Sequence, residues 1–265
     1  MKKIKDLKEL VLYKKKKEKF CALTAYDFQT AEILDQLAIQ FILVGDSLAN
    51  NFLGLNDTRK IGTQEIIYHT RAVSRGAKET LIVSDLPFMS YQISQEKALE
   101  NIYAIFQAGA QAFKLEGCSE YILDLVKKIN SLGLSVVSHL GFTPQILANS
   151  NKPKVQGREN QVAQEILQQA KELEQSGVKA LVLELVPEEL AWKITDQLSI
   201  PTIGIGAGRM CDGQILVTDD ILGRNQFKAK FIKNYSNQYQ DSQNAINRFI
   251  QEVKTNKFPG AENCF

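Results

Sequence analysis

Eight short apolar runs, each closing on a polar residue or a glycine, alternate with amphipathic stretches along most of the chain. The runs lie at residues 20–24, 40–44, 80–84, 112–115, 134–138, 179–183, 202–205 and 214–218. They are rich in β-branched residues and almost continuously apolar, as strands covered on both faces must be. Between most of them, residues 28–37, 64–74, 94–108, 120–131, 159–176 and 188–197 place apolar side chains at helical spacing. Gly109, Gly133 and Gly177 fall where helix C-caps belong. Asp27 and Thr63 are expected N-caps. Ser94 is followed three residues later by Lys97 rather than an acid, so only half of a capping box is expected there.

Strand–helix alternation with right-handed crossovers leaves two architectures, a closed (β/α)8 barrel and a doubly wound open sheet. Eight units favour the barrel, and 265 residues is a length that one such barrel takes. The expectation is a single α/β barrel domain over residues 1–265. A basic lead-in helix occupies residues 1–19, and a polar segment, 225–265, carries one amphipathic stretch at 243–254. One connection breaks the pattern. Only about eight residues separate the seventh and eighth strands, fewer than the ~10–12 that a helical crossover needs, so a degenerate seventh crossover is expected.

Charge narrows the function. The net charge is +2, but residues 1–19 hold nine lysines and three acids. The lysine run 14–17 reads as a solvated helix end. No basic face with interleaved aromatics supports nucleic-acid binding. The four cysteines, Cys21, Cys118, Cys211 and Cys264, form no C-x-x-C pair, which argues against zinc ribbons and dithiol chemistry. No apolar run is long enough for a membrane span, and the N-terminal apolar stretch is too short for a signal-peptide core. A reducing cytoplasm is the expected location. Two histidines cannot build a three-histidine zinc site, so a catalytic metal should be a hard, oxygen-ligated ion.

In a parallel barrel the C-terminal strand ends form the active face. Here they carry Asp46-Ser47, Ser84-Asp85, Lys114 with Glu116, Ser138-His139, and Glu184. One strand-end acid is ordinarily a cap or turn residue; five such ends out of eight are harder to dismiss. Carboxylates brought together repel, and burial raises their pKa, unless a cation compensates. Mg²⁺ is the natural one for this donor set. Lys114 reads either as a charge partner for a substrate carboxylate or enolate oxygen, or as a Schiff-base amine; nearby Glu116 favours the first. The glycines of Gly204-Ile205-Gly206-Ala207-Gly208 fit a phosphate cradle and, equally, close backbone approach. His69, Trp192 and the Tyr26-Asp27 pair take packing readings. Cys118 and Cys211 lie near strand-end loops, but no base is placed to activate them.

The strand-end residues, in order, resemble the ketopantoate hydroxymethyltransferase family. The resemblance is carried by Leu23-Thr-Ala-Tyr-Asp27, Val44-Gly-Asp-Ser-Leu48, Tyr68-His-Thr-Arg-Ala72, Ser84-Asp-Leu-Pro-Phe-Met89, Lys114-Leu-Glu-Gly117, His139-Leu-Gly141 with Thr143-Pro-Gln145, Val155-Gln-Gly-Arg158, Leu183-Glu184 with Val186-Pro187, Ile203-Gly-Ile-Gly-Ala-Gly208 and Asp212-Gly-Gln-Ile-Leu-Val217. It implies a barrel of the phosphoenolpyruvate/pyruvate type. It also implies transfer of a one-carbon unit from 5,10-methylenetetrahydrofolate to 3-methyl-2-oxobutanoate, through a Mg²⁺-stabilised enolate, giving 2-dehydropantoate for pantothenate synthesis. By position it makes Asp46, Asp85 and Glu116 the metal-site carboxylates and Glu184 the proton acceptor. Asp46, Ser47, Asp85, Lys114 and His139 become substrate contacts. A cytoplasmic homo-oligomer, commonly a decamer, is implied as well.

The chain departs from the family pattern in places. The loop at 54–60 keeps Gly54 and Thr58 but lacks the family's histidine. The C-terminus reads Glu262-Asn263-Cys264-Phe265. The segment before Lys154 lacks a glycine pair, and the region after Gly223 is short. Three rivals remain at this stage: another Mg²⁺-dependent lyase of the same barrel group, a Schiff-base aldolase using Lys114, and a barrel kept for binding alone.

Overall fold

The apolar runs become a closed barrel. The computed structural model describes residues 3–147 and 153–265 and has eight strands among them. These are β1 (Phe20–Thr24), β2 (Phe41–Val44), β3 (Leu81–Asp85), β4 (Ala112–Glu116), β5 (Ser135–Gly141), β6 (Ala180–Glu184), β7 (Thr202–Ile205) and β8 (Gly213–Leu216). They pair in chain order, all parallel, and β8 closes on β1.

Helices fill the crossovers. α1 (Leu10–Lys16) precedes β1, and α2 (Phe28–Asp35) follows it. α3 (Leu48–Asn51) and α4 (Thr63–Gly76) follow β2. α5 (Gln95–Gln107) follows β3, and α6 (Glu120–Ser131) follows β4. α7 (Pro144–Leu147) and α8 (Asn160–Ser176) follow β5, and α9 (Glu188–Gln197) follows β6. Residues 206–212 join β7 to β8 without a helix, as the short spacing requires. α10 (Thr218–Leu222) and α11 (Gln238–Lys254) come last.

Several boundaries differ from the sequence expectation. β5 runs on to Gly141 because its ladder with β6 continues through Gly141 opposite Glu184. β8 ends at Leu216 rather than residue 218, where its pairing with β1 ends, and Thr218 opens α10. Asp27 is the N-cap of α2, accepting from the Thr30 N–H at 2.8 Å. Thr63 is not a cap: α4 is capped at Gly62, whose N–H donates to Glu65 Oε2 at 2.9 Å. Ser94 caps α5 by accepting from the Lys97 N–H at 3.1 Å. α3 and α7 are four residues each, too short to show a helical period.

Alternate strand residues face opposite ways, and this divides the core in two. Phe20 and Ala22, Phe41 and Leu43, Leu81 and Val83, Val137, Val182, Ile203 and Ile215 form one buried cluster inside the barrel. Ile4, Leu7 and Leu10 belong to the same cluster, so the N-terminal segment plugs the end where the strands begin. Lys14 Nζ helps to anchor it, donating to Asp212 Oδ2 at 2.9 Å and to the Thr195 carbonyl at 2.6 Å. Lys15, Lys16 and Lys17 are exposed, the solvated end expected of the lysine run. The other face of the strands, including Phe113, Leu115, Val136, Leu181 and Leu183, packs on the buried sides of α5, α6, α8 and α9.

The chain forms two compact units, Met1–Val217 and Thr218–Phe265. The first contains the barrel. Within the second, none of the α11 residues is buried. Among the described residues no helix is long and apolar enough to cross a membrane. The glycine-poor segment before Lys154 falls largely on 148–152, outside the described residues.

Candidate active site

The interior columns of the barrel change character towards the strand ends. Leu81 and Val83 are followed at the next inward position by Asp85. Ala112 is followed by Lys114 and Glu116, Val137 by His139, and Ala180 and Val182 by Glu184. The two-residue period that builds the apolar core therefore also aims these side chains into the barrel mouth. Register then pairs them: Asp85 lies opposite Lys114, and Glu116 opposite His139. Asp46 and Ser47 follow β2 after a single residue, Gly45. His139 lies within β5 rather than after it, a consequence of that strand's extra length.

Two hydrogen-bonded groups result. In the first, Lys114 Nζ lies 2.8 Å from Asp85 Oδ1, and the Asp46 N–H donates to Asp85 Oδ2 at 2.8 Å. In the second, His139 Nδ1 lies 3.1 Å from Glu116 Oε1. His139 Nε2 is 3.4 Å from Glu184 Oε2, but the alignment is poor and Nε2 has no hydrogen-bond partner among the described residues. Asp46, Asp85, Lys114, Glu116 and His139 are all buried. Glu184 keeps 19% of its side chain exposed, the most open acid of the set. Ser47 Oγ is 2.8 Å from the Tyr26 hydroxyl.

Burial and mutual repulsion set the protonation states. Burial first, then the charges of Asp85 and Glu116, push the Asp46 carboxyl up to about 7. Burial alone would lower the pKa of the Lys114 amine, but Asp85, Glu116 and Asp46 outweigh it and raise it. The amine is held protonated, which disfavours the neutral nucleophile of a Schiff-base enzyme. For Glu116, burial pulls upward, yet His139, Lys114 and the Gln145 N–H bring it below the usual carboxylate range. Burial would lower His139; its contact with Glu116 reverses this and lifts the ring to about 9. Glu116 and His139 thus form a carboxylate–imidazolium pair.

Two residues join the site beyond the sequence expectation: Gln145, from the Thr143-Pro-Gln145 segment, and Tyr91. Gln145 Nε2 donates to Asp46 Oδ2 at 2.9 Å and to the Leu86 carbonyl at 3.0 Å. Its backbone N–H donates to Glu116 Oε2 at 3.0 Å. It therefore joins the two groups. Tyr91 donates through its hydroxyl to Gln145 Oε1 at 2.8 Å and accepts from the Glu116 N–H at 3.2 Å. The available signal was the position of Gln145 just beyond a strand that already carried His139.

Other candidates settle as structural. Ser84 and Ser138 face away from the mouth: Ser84 Oγ bonds Thr70 Oγ1 at 2.9 Å, and Ser138 donates to the Gly117 carbonyl at 3.4 Å. His69 is buried, bonded to the Tyr26 carbonyl and set edge-on to Phe52 and Tyr68. Tyr26 does more than pack, because its hydroxyl reaches Ser47. Trp192 departs from its packing reading, being 45% exposed on α9. Cys118 is pushed up to about 12 by burial and Glu172, and burial also raises buried Cys211, so neither is an activated thiol. In the 204–208 loop, Gly208 has φ +79°, and a Cβ there would meet Glu188; turn geometry and close approach account for that glycine. The altered 54–60 loop forms a 3₁₀ turn, Thr58–Lys60, capped by Asp57, which also pairs with Arg59 at 2.8 Å.

The donor set fits a hard divalent cation. Among the described residues no three His, Cys, Asp or Glu side chains converge as a ready-made cage. Mg²⁺ does not require one, since it takes one or two carboxylates and fills its octahedron with water and substrate oxygens. Asp46 and Asp85 supply hard oxygens. Burial first, with the charges of Asp85 and Glu116 beside it, raises Asp46 despite Lys114, and a bound cation would favour its ionised form.

The sequence matches the ketopantoate hydroxymethyltransferase family over residues 4–261. A 3-methyl-2-oxobutanoate hydroxymethyltransferase of Thermosipho africanus (strain TCF52B) is 47% identical over 256 residues, covering 96% of each chain. Its counterpart in Thermoanaerobacter sp. (strain X514) is 49% identical over 255 residues, 96% of this chain and 93% of that one. Among solved structures, a phosphonopyruvate hydrolase in complex with oxalate and Mg²⁺ aligns with TM-score 0.62 at 10% identity, over 97% of this chain and 93% of that one. A 2,3-dimethylmalate lyase of the PEP mutase/isocitrate lyase superfamily aligns with TM-score 0.62 at 13% identity, over 97% and 88%. Those structures share the barrel fold. The sequence match runs nearly end to end through every strand-end acid described above, and the chain belongs to the ketopantoate hydroxymethyltransferase family.

Proposed function

We propose that this chain transfers a hydroxymethyl unit from 5,10-methylenetetrahydrofolate to 3-methyl-2-oxobutanoate, giving 2-dehydropantoate in pantothenate synthesis, with Mg²⁺ at Asp46 and Asp85 and with Glu116 close by. The observation that carries it is the convergence of Asp46, Asp85, Lys114, Glu116, His139 and Glu184 in one barrel mouth, within a chain of this family. Bound there, Mg²⁺ supplies a Lewis acid that polarises the ketone and makes the neighbouring C–H more acidic.

The protein's own groups divide the remaining work. Protonated Lys114 and the Ser47 hydroxyl hold the polar end of the 2-oxo acid. Glu184, the most open acid, accepts the C3 proton as the positioned general base. His139, held charged by Glu116, sits beside Glu184 and keeps its carboxylate turned inward. The C3 carbon, left electron-rich, attacks the folate-borne methylene carbon; the new C–C bond forms, the methylene C–N bonds break, water supplies the hydroxyl, and tetrahydrofolate leaves. A homo-oligomer in the cytoplasm completes the reading; exposed Ile246, Phe249 and Val253 along α11 support association.

The test separates the half-reactions. Purified protein with Mg²⁺ and 3-methyl-2-oxobutanoate in deuterated water should exchange the C3 proton without folate. EDTA should stop it. Adding methylenetetrahydrofolate should then yield 2-dehydropantoate. Exchange that persisted at full rate in EDTA would remove the metal from the reading, and a borohydride-trapped adduct at Lys114 would replace the mechanism.

A further inference from the structure

We propose that Tyr91 and Gln145 form a positioning pair that orients the Asp46 carboxylate and locks it to Glu116, so that divalent-metal affinity depends on two side chains that need not touch the metal. The inference rests on the reading of Asp46 and Glu116 as metal-site carboxylates.

Hydrogen-bond direction fixes the arrangement. The Tyr91 oxygen accepts the Glu116 N–H, so its own proton points to Gln145 Oε1. That assigns the amide: Oε1 faces Tyr91, and the NH₂ group faces Asp46 Oδ2 and the Leu86 carbonyl. Both NH₂ protons are then used, and Gln145 has no second way to sit. Asp46 Oδ2 is occupied, and no hydrogen bond among the described residues reaches Oδ1, which is left to a ligand. Through its backbone N–H the same residue holds Glu116 Oε2.

Burial gives the arrangement its stiffness. Tyr91 is fully buried and Gln145 is 2% exposed, so water cannot replace a lost bond. Tyr91 is itself held at its carbonyl by the Tyr121 hydroxyl at 2.7 Å. Four strand ends are linked in this way: β2 through Asp46, β3 through Leu86, β4 through Glu116 and β5 through Gln145. Partners that orient metal-binding groups typically change metal affinity or activity by about 10- to 100-fold when removed.

Isothermal titration of Mg²⁺ alone, repeated with Mn²⁺ and read by electron paramagnetic resonance, tests this without turnover. Gln145→Met should weaken metal binding by about tenfold or more. Tyr91→Phe, which deletes one oxygen, should weaken it in the same direction and adds little in the double variant, because both act through one chain of bonds. A role confined to packing would lower the melting temperature and leave the dissociation constant unchanged. Folded variants that bind within twofold of wild type overturn the inference while leaving the proposed activity standing. An unchanged Tyr91→Phe with a weakened Gln145→Met removes Tyr91 from the pair. If Gln145→Met does not fold, Tyr91→Phe decides. A wild-type protein that binds neither ion overturns both the reading and the inference.

Discussion

Glu116 and His139 face each other across adjacent strands, with Oε1 and Nδ1 3.1 Å apart in a fully buried pair. Each changes the other: the carboxylate lifts the ring, and the ring lowers the carboxylate. The free edge of the same ring then faces Glu184. The ring therefore lies between Glu116 and Glu184, the acid proposed above as the proton acceptor.

Glu184→Gln keeps the shape and removes the basicity. Deuterium exchange at C3 of 3-methyl-2-oxobutanoate should fall by about 10²–10⁴-fold, the usual contribution of a positioned base. Circular dichroism and Mg²⁺ affinity should hold close to wild type. Exchange that survived would reassign the base.

Lys114→Met leaves Asp85 buried without its cation. Breaking one side of a buried ion pair costs about 3–5 kcal/mol, and chemical denaturation should show a loss of that order. Replacing both residues, as Lys114→Met with Asp85→Leu, should recover part of the stability and none of the activity.

Metal removal should be visible in stability as well as in rate. If Mg²⁺ binds the folded chain alone, a hundredfold excess over its dissociation constant adds about 2.7 kcal/mol. Differential scanning calorimetry should show a rise in melting temperature with Mg²⁺ that EDTA reverses. In Asp46→Asn and Asp85→Asn variants the rise should shrink.

Leu7→Ala opens a cavity beneath the barrel, far from the mouth. Leu7 is fully buried among the inward-facing residues, and such truncations cost about 2–5 kcal/mol. Denaturant midpoints should fall accordingly, while the KM for the 2-oxo acid in the folded protein stays unchanged.

Asp35 gathers the backbone N–H groups of Lys78, Glu79 and Thr80 ahead of β3. Burial would raise its pKa, but these bonds win and lower it below 3.8. A depressed carboxylate stabilises the fold above its unfolded pKa, and the contribution disappears as pH falls through the folded value. The stability gap between wild type and Asp35→Ala should be flat above about pH 5, on the order of 1–2 kcal/mol, and should close below pH 4. A gap independent of pH would point to lost packing instead.

The site was legible to the extent that the strands were. Asp85, Lys114, Glu116 and Glu184 continue the inward columns of their own strands, so the pattern that reveals the core also reveals them. His139 was legible for the same reason, although its strand proved longer than its apolar run. Gln145 and Tyr91 belong to no such pattern. One sits in a four-residue helix and the other in a connection without a period, and neither carries a charge that would look out of place. Thr63, by contrast, had the chemistry of a cap and lost the position to Gly62.

Local sequence determined which segments are strands, which way their alternate residues face, and therefore which acids and cations enter the mouth. It also determined the missing seventh helix, because too few residues lie between β7 and β8. Tertiary structure decided everything that depends on register and closure. It chose Asp85 for Lys114 and Glu116 for His139, and it brought Gln145 across the mouth to Asp46. The reason is physical: a strand's periodicity is set by its own backbone, whereas a contact between residues 99 positions apart, such as that from Gln145 to Asp46, exists only once the barrel has closed.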